Sequence, residues 1–248
     1  MVSDEEFKTA MRRFAEANRK TVEVICGGDG ALVAEWREHA TGKNSKCLMP
    51  VRNYGMCEKH KDLYMSVFND EDAVRFKQFL FPVIEGSFLQ TPDKLAKMTA
   101  LSELTVVGDD PTSALRFNVE VNGKAVVENV IANGAVFASK LGSTGYFKSI
   151  ARTLFLHGIG IAFICPTYSI PNIVVDNADR ISFKLLRKSA VTVTADKMSM
   201  KINAEAGWTF DVVDACFNVA VLGYDHFMCP DCRRNRNSTV VNDNYCIV

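Results

Sequence analysis

The stretch Thr21–Gly30 reads TVEVICGGDG, and the architecture follows from it. Val22, Val24, Ile25 and Cys26 make an apolar run of strand length. Gly27, Gly28, Asp29 and Gly30 then turn the chain, and Ala31–His39 has the make-up of a helix. A strand that passes through glycines into a helix start gathers backbone N–H groups and the positive end of the helix around one point, where an anion binds. Glycine lets that anion approach the main chain. Asp29 is the one side chain of the turn able to do acid–base or metal chemistry.

Working outward, Ser3 and Glu6 have capping-box spacing and predict a helix from Asp4, with Phe7, Met11 and Phe14 along one face. Lys46–Val51 predicts a second strand. It leads into Arg52-Asn53-Tyr54-Gly55-Met56, a polar loop whose glycine can face a ligand. Asn69 predicts the cap of a helix over Asp70–Leu80, and Thr91-Pro92-Asp93 resembles another helix start. Leu95–Leu104 suits helix or strand equally. Beyond it the texture changes: Leu115, Phe117, Val119 and Val121 alternate with polar residues, and Asn122-Gly123 is a two-residue hairpin turn leading to Lys124–Val127. Further strands are expected at Val130–Ala138, Ile159–Cys165, Ile181–Leu186, Val191–Ala195, Trp208–Val213 and Phe217–Leu222. Ser143 or Thr144 is placed to cap a helix reaching Thr153.

The chain has 248 residues, 48% of them hydrophobic and 23% charged, enough to build a core in one large or two small domains. Its formal net charge is zero, which speaks against field-driven binding to nucleic acid or an anionic membrane. The longest apolar run, Leu154–Cys165, contains His157 and is too short to span a bilayer. The acidic N-terminus shows no signal-peptide pattern. Eight irregularly spaced cysteines suit reduced thiols, and a cytoplasmic location is expected.

Two glycine-containing polar turns stand out, Gly27-Gly28-Asp29-Gly30 and Gly142-Ser143-Thr144-Gly145-Tyr146. Taken in order with Asn53-Tyr54-Gly55-Met56, Ala100-Leu101-Ser102-Glu103 and Ile164-Cys165-Pro166, they resemble the motifs of the NAD kinase family over most of the chain. These are ATP- or polyphosphate-dependent kinases of the diacylglycerol kinase and phosphofructokinase-like superfamily. Gly-Gly-Asp-Gly alone is shared across that superfamily; the order of the motifs and the Gly-Ser-Thr-x-Tyr turn carry the specific likeness. The resemblance implies an α/β domain with a short Rossmann-like sheet over residues 1–99, on which the tail 223–248 packs back. It also implies a strand-rich, β-sandwich-like domain over 100–222 that holds the dinucleotide.

The activity implied is transfer of the γ-phosphoryl group of ATP to the adenosine-ribose 2′-hydroxyl of NAD, with Mg²⁺ neutralising the triphosphate. Asp29 would be the catalytic base, and Gly27, Gly28 and Gly30 would face the phosphates. Asn53, Met56, Ser102, Glu103, Thr144, Gly145, Tyr146 and Ser149 would contact the dinucleotide. The resemblance further implies small-molecule substrates, no nucleic acid or membrane partner, and a homo-oligomer, dimer or tetramer. Several positions depart from the family. Ser102 replaces an asparagine and so removes an amide, Gly145 replaces an alanine, and Lys140-Leu141 stands where Thr-Pro is usual. A non-catalytic dinucleotide binder, or a kinase for a lipid or other hydroxyl substrate, are the alternatives.

Near the C-terminus, Cys229-Pro230-Asp231-Cys232 is a Cys-x-x-Cys pair able to take a metal or form a redox couple. A structural zinc site needs two further ligands. Cys57 and His60 have matching spacing, with Cys47 as a spare, and His39, His157 and His226 show no ligand spacing. In the family the chain end returns to the N-terminal domain, which would let the two pairs meet.

Overall fold

A computed structural model describes residues 3–40, 45–52, 56–91 and 94–232. The expected Asn53 contact, the Pro92-Asp93 helix start and the tail beyond Cys232 lie outside the described residues. The chain divides into two compact units, residues 1–79 with 220–248, and residues 80–219.

The first unit begins with helix α1 (Asp4–Asn18). Ser3 Oγ accepts from the Glu6 N–H, and the Glu6 carboxylate accepts from the Ser3 N–H at 2.8 Å, which closes the expected capping box. Strand β1 (Val22–Cys26) runs parallel to β2 (Cys47–Val51), with helix α2 (Asp29–His39) as the crossover between them. Helix α3 (Glu58–Asp70) follows, and a single 3₁₀ turn spans Ala73–Arg75. Phe7, Ala10 and Phe14 of α1 meet Tyr64, Val67 and Phe68 of α3 in one apolar cluster, with Phe14 and Phe68 ring centroids 5.1 Å apart. The short helix α5 (Tyr224–Phe227) completes the unit. Its entry is fixed by the Gly223 N–H donating to the Lys77 carbonyl at 2.9 Å.

The second unit is built of strands. β3 (Gln78–Thr91) and β4 (Lys94–Ala100) pair antiparallel from Ile84↔Ala100 to Thr91↔Lys94. β5 (Glu103–Gly108), β6 (Leu115–Val121), β7 (Lys124–Ala132) and β8 (Gly134–Ala138) follow. A 3₁₀ turn (Gly142–Thr144) and helix α4 (Tyr146–Ala151) then precede β9 (Ile159–Ile164), β10 (Ile173–Val175), β11 (Ile181–Leu185), β12 (Ser189–Ala195), β13 (Met198–Ala204) and β14 (Thr209–Leu222). One sheet runs β10–β9–β8–β5–β12–β13, antiparallel throughout. The other contains β14–β11–β6–β7, with β3 paired to β14 and β4. Both contribute to one core, which includes Phe117, Phe137, Phe163, Phe183 and Phe210. An α/β part with a short parallel sheet, followed by a sandwich-like strand-rich part, is the architecture expected from the sequence.

Some local expectations need correction. The helix expected at Asp70–Leu80 lies instead at Glu58–Asp70. Asn69 sits in its last turn, and Glu71 leaves it in the left-handed conformation at φ 54°. The buried face of α3, His60, Tyr64, Val67 and Phe68, has helical spacing, and that burial fixes the helix's register rather than a cap at Asn69. Residues 94–100 resolve to strand, because they close a hairpin with β3. The two strands expected at Trp208–Val213 and Phe217–Leu222 are one, β14, with Cys216 at φ 61° inside it. Helix α4 ends at Ala151, where Arg152 turns left-handed. The Asn122-Gly123 hairpin forms as expected, both residues at positive φ.

Candidate functional site

In the first unit the site is made by strand register. Cys26 pairs with Val51, so the next residues, Gly27 and Arg52, leave the sheet side by side. The Gly27 N–H donates to the Val51 carbonyl at 2.9 Å, and Gly27 has φ +145°, where a Cβ would also press on Ala31. Gly28 caps α2, its carbonyl accepting from the N–H groups of Ala31 and Leu32. Asp29 and Gly30 therefore lie in the first turn of α2, where N–H groups have no intrahelical acceptor and the helix end is positive.

The Asp29 carboxylate is 57% exposed, and its Oδ1 accepts from Arg52 Nη2 at 3.0 Å. Arg52 is itself buried. Its Nε and Nη2 donate to the Phe227 carbonyl at 3.4 and 3.3 Å, and its guanidinium stacks 3.6 Å from the centre of the Phe227 ring. Asp29 is thus steadied by a cation that the C-terminal segment holds in place. No sequence motif marks Arg52; the β1–β2 register places it. Met56 packs, partly buried, against the α1–α3 cluster.

In the second unit, Leu101, Ser102 and Glu103 turn between β4 and β5, and the Asp196 carboxylate holds that turn. Its oxygens accept from the N–H groups of Leu101 (2.9 Å), Ser102 (2.9 Å) and Glu103 (3.2 Å). Asp196 sits at φ 53° in the hairpin between β12 and β13, a conformation aspartate tolerates. The buried Ser139 knits the turn to the next one. Its N–H donates to the Ser102 carbonyl at 2.8 Å and its hydroxyl to the Leu101 carbonyl. The same hydroxyl accepts from the N–H groups of Leu141 and Gly142. Neither Asp196 nor Ser139 was expected. The signal for Asp196 was a two-residue break between alternating strands.

The Gly142–Tyr146 turn therefore lies against Ser102 and Glu103. A Cβ on Gly142 would overlap the Ser102 carbonyl and approach Glu103 Oε2. Ser102 Oγ donates to Glu103 Oε2, and burial, opposed by that bond and reinforced by Asp196, raises the Glu103 carboxyl above its ordinary value. Ser143 Oγ donates to the carbonyls of Lys140 and Phe155, and Thr144 Oγ1 to that of Leu141. Ser149 Oγ donates to the Tyr146 carbonyl at 2.7 Å. Tyr146 is exposed, and its hydroxyl is made less acidic first by burial of the oxygen and then by Cys165 and Glu103. The turn that carries Thr144, Gly145 and Tyr146 thus lies over the buried Ser102 and the partly buried Glu103.

A further constellation lies in the first unit. Cys57 Sγ is 3.0 Å from His60 Nδ1, and Cys232 Sγ is 3.5 Å from Cys57 Sγ and 3.7 Å from His60 Nδ1. Cys229 completes the group, and all four ligand atoms fall within 4.8 Å of one another. Cys47 stands apart, its sulfur facing Gln78. His39 faces Glu23 and Glu35, and the His226 ring lies tilted against that of His60, 5.2 Å away. No described helix is long and apolar enough to cross a membrane.

No protein-family model matches the chain. Solved structures of NAD kinases share its fold. Yeast NADH kinase complexed with NADH superimposes with a TM-score of 0.67 at 16% identity, over 90% of this chain and 66% of that one. An NAD kinase from Archaeoglobus fulgidus in complex with ATP gives 0.64 at 17% identity, over 90% of this chain and 94% of that one. The fold is therefore that of the NAD kinases. Sequence points the same way: the bifunctional NADP phosphatase/NAD kinase of Methanocaldococcus jannaschii is 32% identical over 122 residues, 47% of this chain and 21% of that protein. The chain resembles the NAD kinase family in both sequence and architecture.

Proposed function

We propose that the chain is an NAD kinase that transfers the γ-phosphoryl group of ATP to the adenosine-ribose 2′-hydroxyl of NAD, giving NADP and ADP. The observation that carries this reading is the exposed Asp29 carboxylate, set at a helix N-terminus between glycines and fixed by Arg52. A carboxylate so held takes the hydroxyl proton as the oxygen attacks the γ-phosphorus, and the bond to the ADP oxygen breaks. The N–H groups of Gly28 and Gly30 and the positive end of α2 favour the phosphate charge. Mg²⁺ bound with the triphosphate would neutralise part of its charge, which leaves the exposed Asp29 carboxylate to act as the base.

On the dinucleotide, the Glu103 carboxylate and Ser102 hydroxyl bond ribose or amide groups, and Tyr146 lies against the adenosine side with Thr144, Gly145 and Ser149. Asn53 and Met56 complete the set of contacts carried by the family resemblance. NAD and NADH are both candidate acceptors, since relatives of this fold are named for each.

The test is incubation of the purified chain with Mg²⁺, ATP or polyphosphate, and NAD or NADH, with NADP(H) read enzymatically. NADP(H) should form, and Asp29→Asn should lower kcat by about 10²–10⁴-fold, the range of general-base catalysis, with unchanged circular dichroism. Full activity in Asp29→Asn would remove the base. Tight dinucleotide binding by the parent without NADP formation would select a non-catalytic binder instead.

A further inference from the structure

We propose that Cys57, His60, Cys229 and Cys232 form a tetrahedral zinc site that staples the start of α3 to the C-terminal segment of the first unit. This inference is independent of the kinase reading.

The donor set is three thiols and one imidazole, arranged as two x-x-spaced pairs from distant chain segments, with Cys57 and Cys232 175 positions apart. For Zn–S near 2.3 Å and Zn–N near 2.05 Å, tetrahedral angles put sulfurs about 3.8 Å from one another and about 3.6 Å from the nitrogen. The observed 3.5 Å for Cys57–Cys232 and 3.7 Å for Cys232–His60 lie close to this geometry, and the shorter 3.0 Å for Cys57–His60 opens to it with a small side-chain rotation. The softness of the set selects zinc over the magnesium that serves a triphosphate.

The local backbone is built for thiolates. Cys57 is the N-cap of α3 and makes no capping hydrogen bond with its own side chain, so its sulfur is directed elsewhere. The Cys57 N–H donates to Cys232 Sγ at 3.2 Å, and the N–H groups of Asp231 and Cys232 turn toward Cys229 Sγ. Such N–H···S bonds orient sulfur ligands and neutralise part of their charge, as outer contacts do in metal sites. Cys229, Cys232 and His60 are buried, which shields the ion from competing water ligands. His60 binds through Nδ1, its ring lying 5.2 Å from that of His226. Binding Zn²⁺ releases the thiol protons and forms three Zn–S bonds and one Zn–N bond, with no change of oxidation state.

A disulfide between Cys57 and Cys232 is the rival chemistry. It would leave Cys229 and His60 converging on a sulfur they could not bond. The same four residues lie next to the contact that matters for the proposed base, because the metal would fix the segment whose Phe227 carbonyl holds Arg52.

The full chain, purified with reductant and without added chelator, should contain about one zinc per chain by elemental mass spectrometry. The double variant Cys229→Ser, Cys232→Ser should contain less than a tenth of that. Should this variant not fold, the parent decides the matter: exchange of its metal for Co²⁺ should give an intense thiolate-to-cobalt band and the visible bands of tetrahedral cobalt. The proposal is overturned by a reduced, folded parent that takes up neither Zn²⁺ nor Co²⁺. It is equally overturned by a double variant that retains zinc, or by a Cys57–Cys232 disulfide in peptides from reductant-purified protein.

Discussion

Replacing Asp196 by alanine should loosen the Ser102–Glu103 turn more than any change of the exposed residues around it. Three main-chain N–H groups, from Leu101, Ser102 and Glu103, converge on its carboxylate at 2.9, 2.9 and 3.2 Å. Hydrogen bonds to a charged acceptor contribute about 1.5–3 kcal/mol each, but three that share one group do not add in full, so roughly 4 kcal/mol is expected from their loss. Alanine at φ 53° adds about 1 kcal/mol of backbone strain. With a urea m-value of about 2.5 kcal/mol per molar, the unfolding midpoint of the second unit should fall by about 2 M. It can be followed through Trp208 fluorescence in a Trp36→Phe background. Asp196→Gly separates the two contributions, since glycine relieves the strain and still lacks an acceptor. Its midpoint should stay within about 0.5 M of the alanine variant. A glycine variant as stable as the parent would show that the loss is strain and that the carboxylate does not hold the turn.

Arg52→Met removes the bonds to the Phe227 carbonyl and to Asp29. Because Asp29 is more than half exposed and re-solvates, about 2–3 kcal/mol should be lost. Calorimetry should then show the melting temperature lowered by about 4–10 °C, and a shift under about 2 °C contradicts the role given to this residue. Glu103→Gln tests the buried carboxyl. Its raised folded pKa means that the stability it carries is present below the ordinary value of 4.5 and is lost as pH rises through the folded value. The glutamine variant should therefore be as stable as the parent or more so at pH 7, with the difference vanishing near pH 4. Its dinucleotide affinity by calorimetric titration should fall by about tenfold, the loss of one charged hydrogen bond. A variant less stable at pH 7 than at pH 4, relative to the parent, reverses the sign and refutes the argument.

Local chemistry was legible in the sequence where the residues that cause a feature are neighbours. The capping box at Ser3 and Glu6, the glycine turn between β1 and α2, and the Asn122-Gly123 hairpin are each fixed within a few residues, and each formed. What could not be read depends on distant partners. Asp196 lies 95 positions from the first N–H it accepts, and Arg52 lies 175 positions from the carbonyl it reaches. Strand β13, MSMKINA, has too weak an apolar pattern to be read from sequence, because only Ile202 and Ala204 are buried. For helix α3 the polar cap signal at Asn69 competes with the apolar spacing of Tyr64, Val67 and Phe68, and burial rewards the second more. The Cys-x-x-Cys pair and the Cys57–His60 pair were visible separately. Their meeting needed the return of the chain end to the first unit.

The joint between Gly142 and the Ser102 carbonyl leaves no room for a side chain: a β-carbon at 142 would stand 2.1 Å from that oxygen. The two loops consequently behave as a single rigid jaw, and neither can drift without tearing the other's main-chain bonds. On the proposed reading, a change of substrate preference would fall to Thr144, Gly145, Tyr146 and Ser149, which stand away from the base of the jaw.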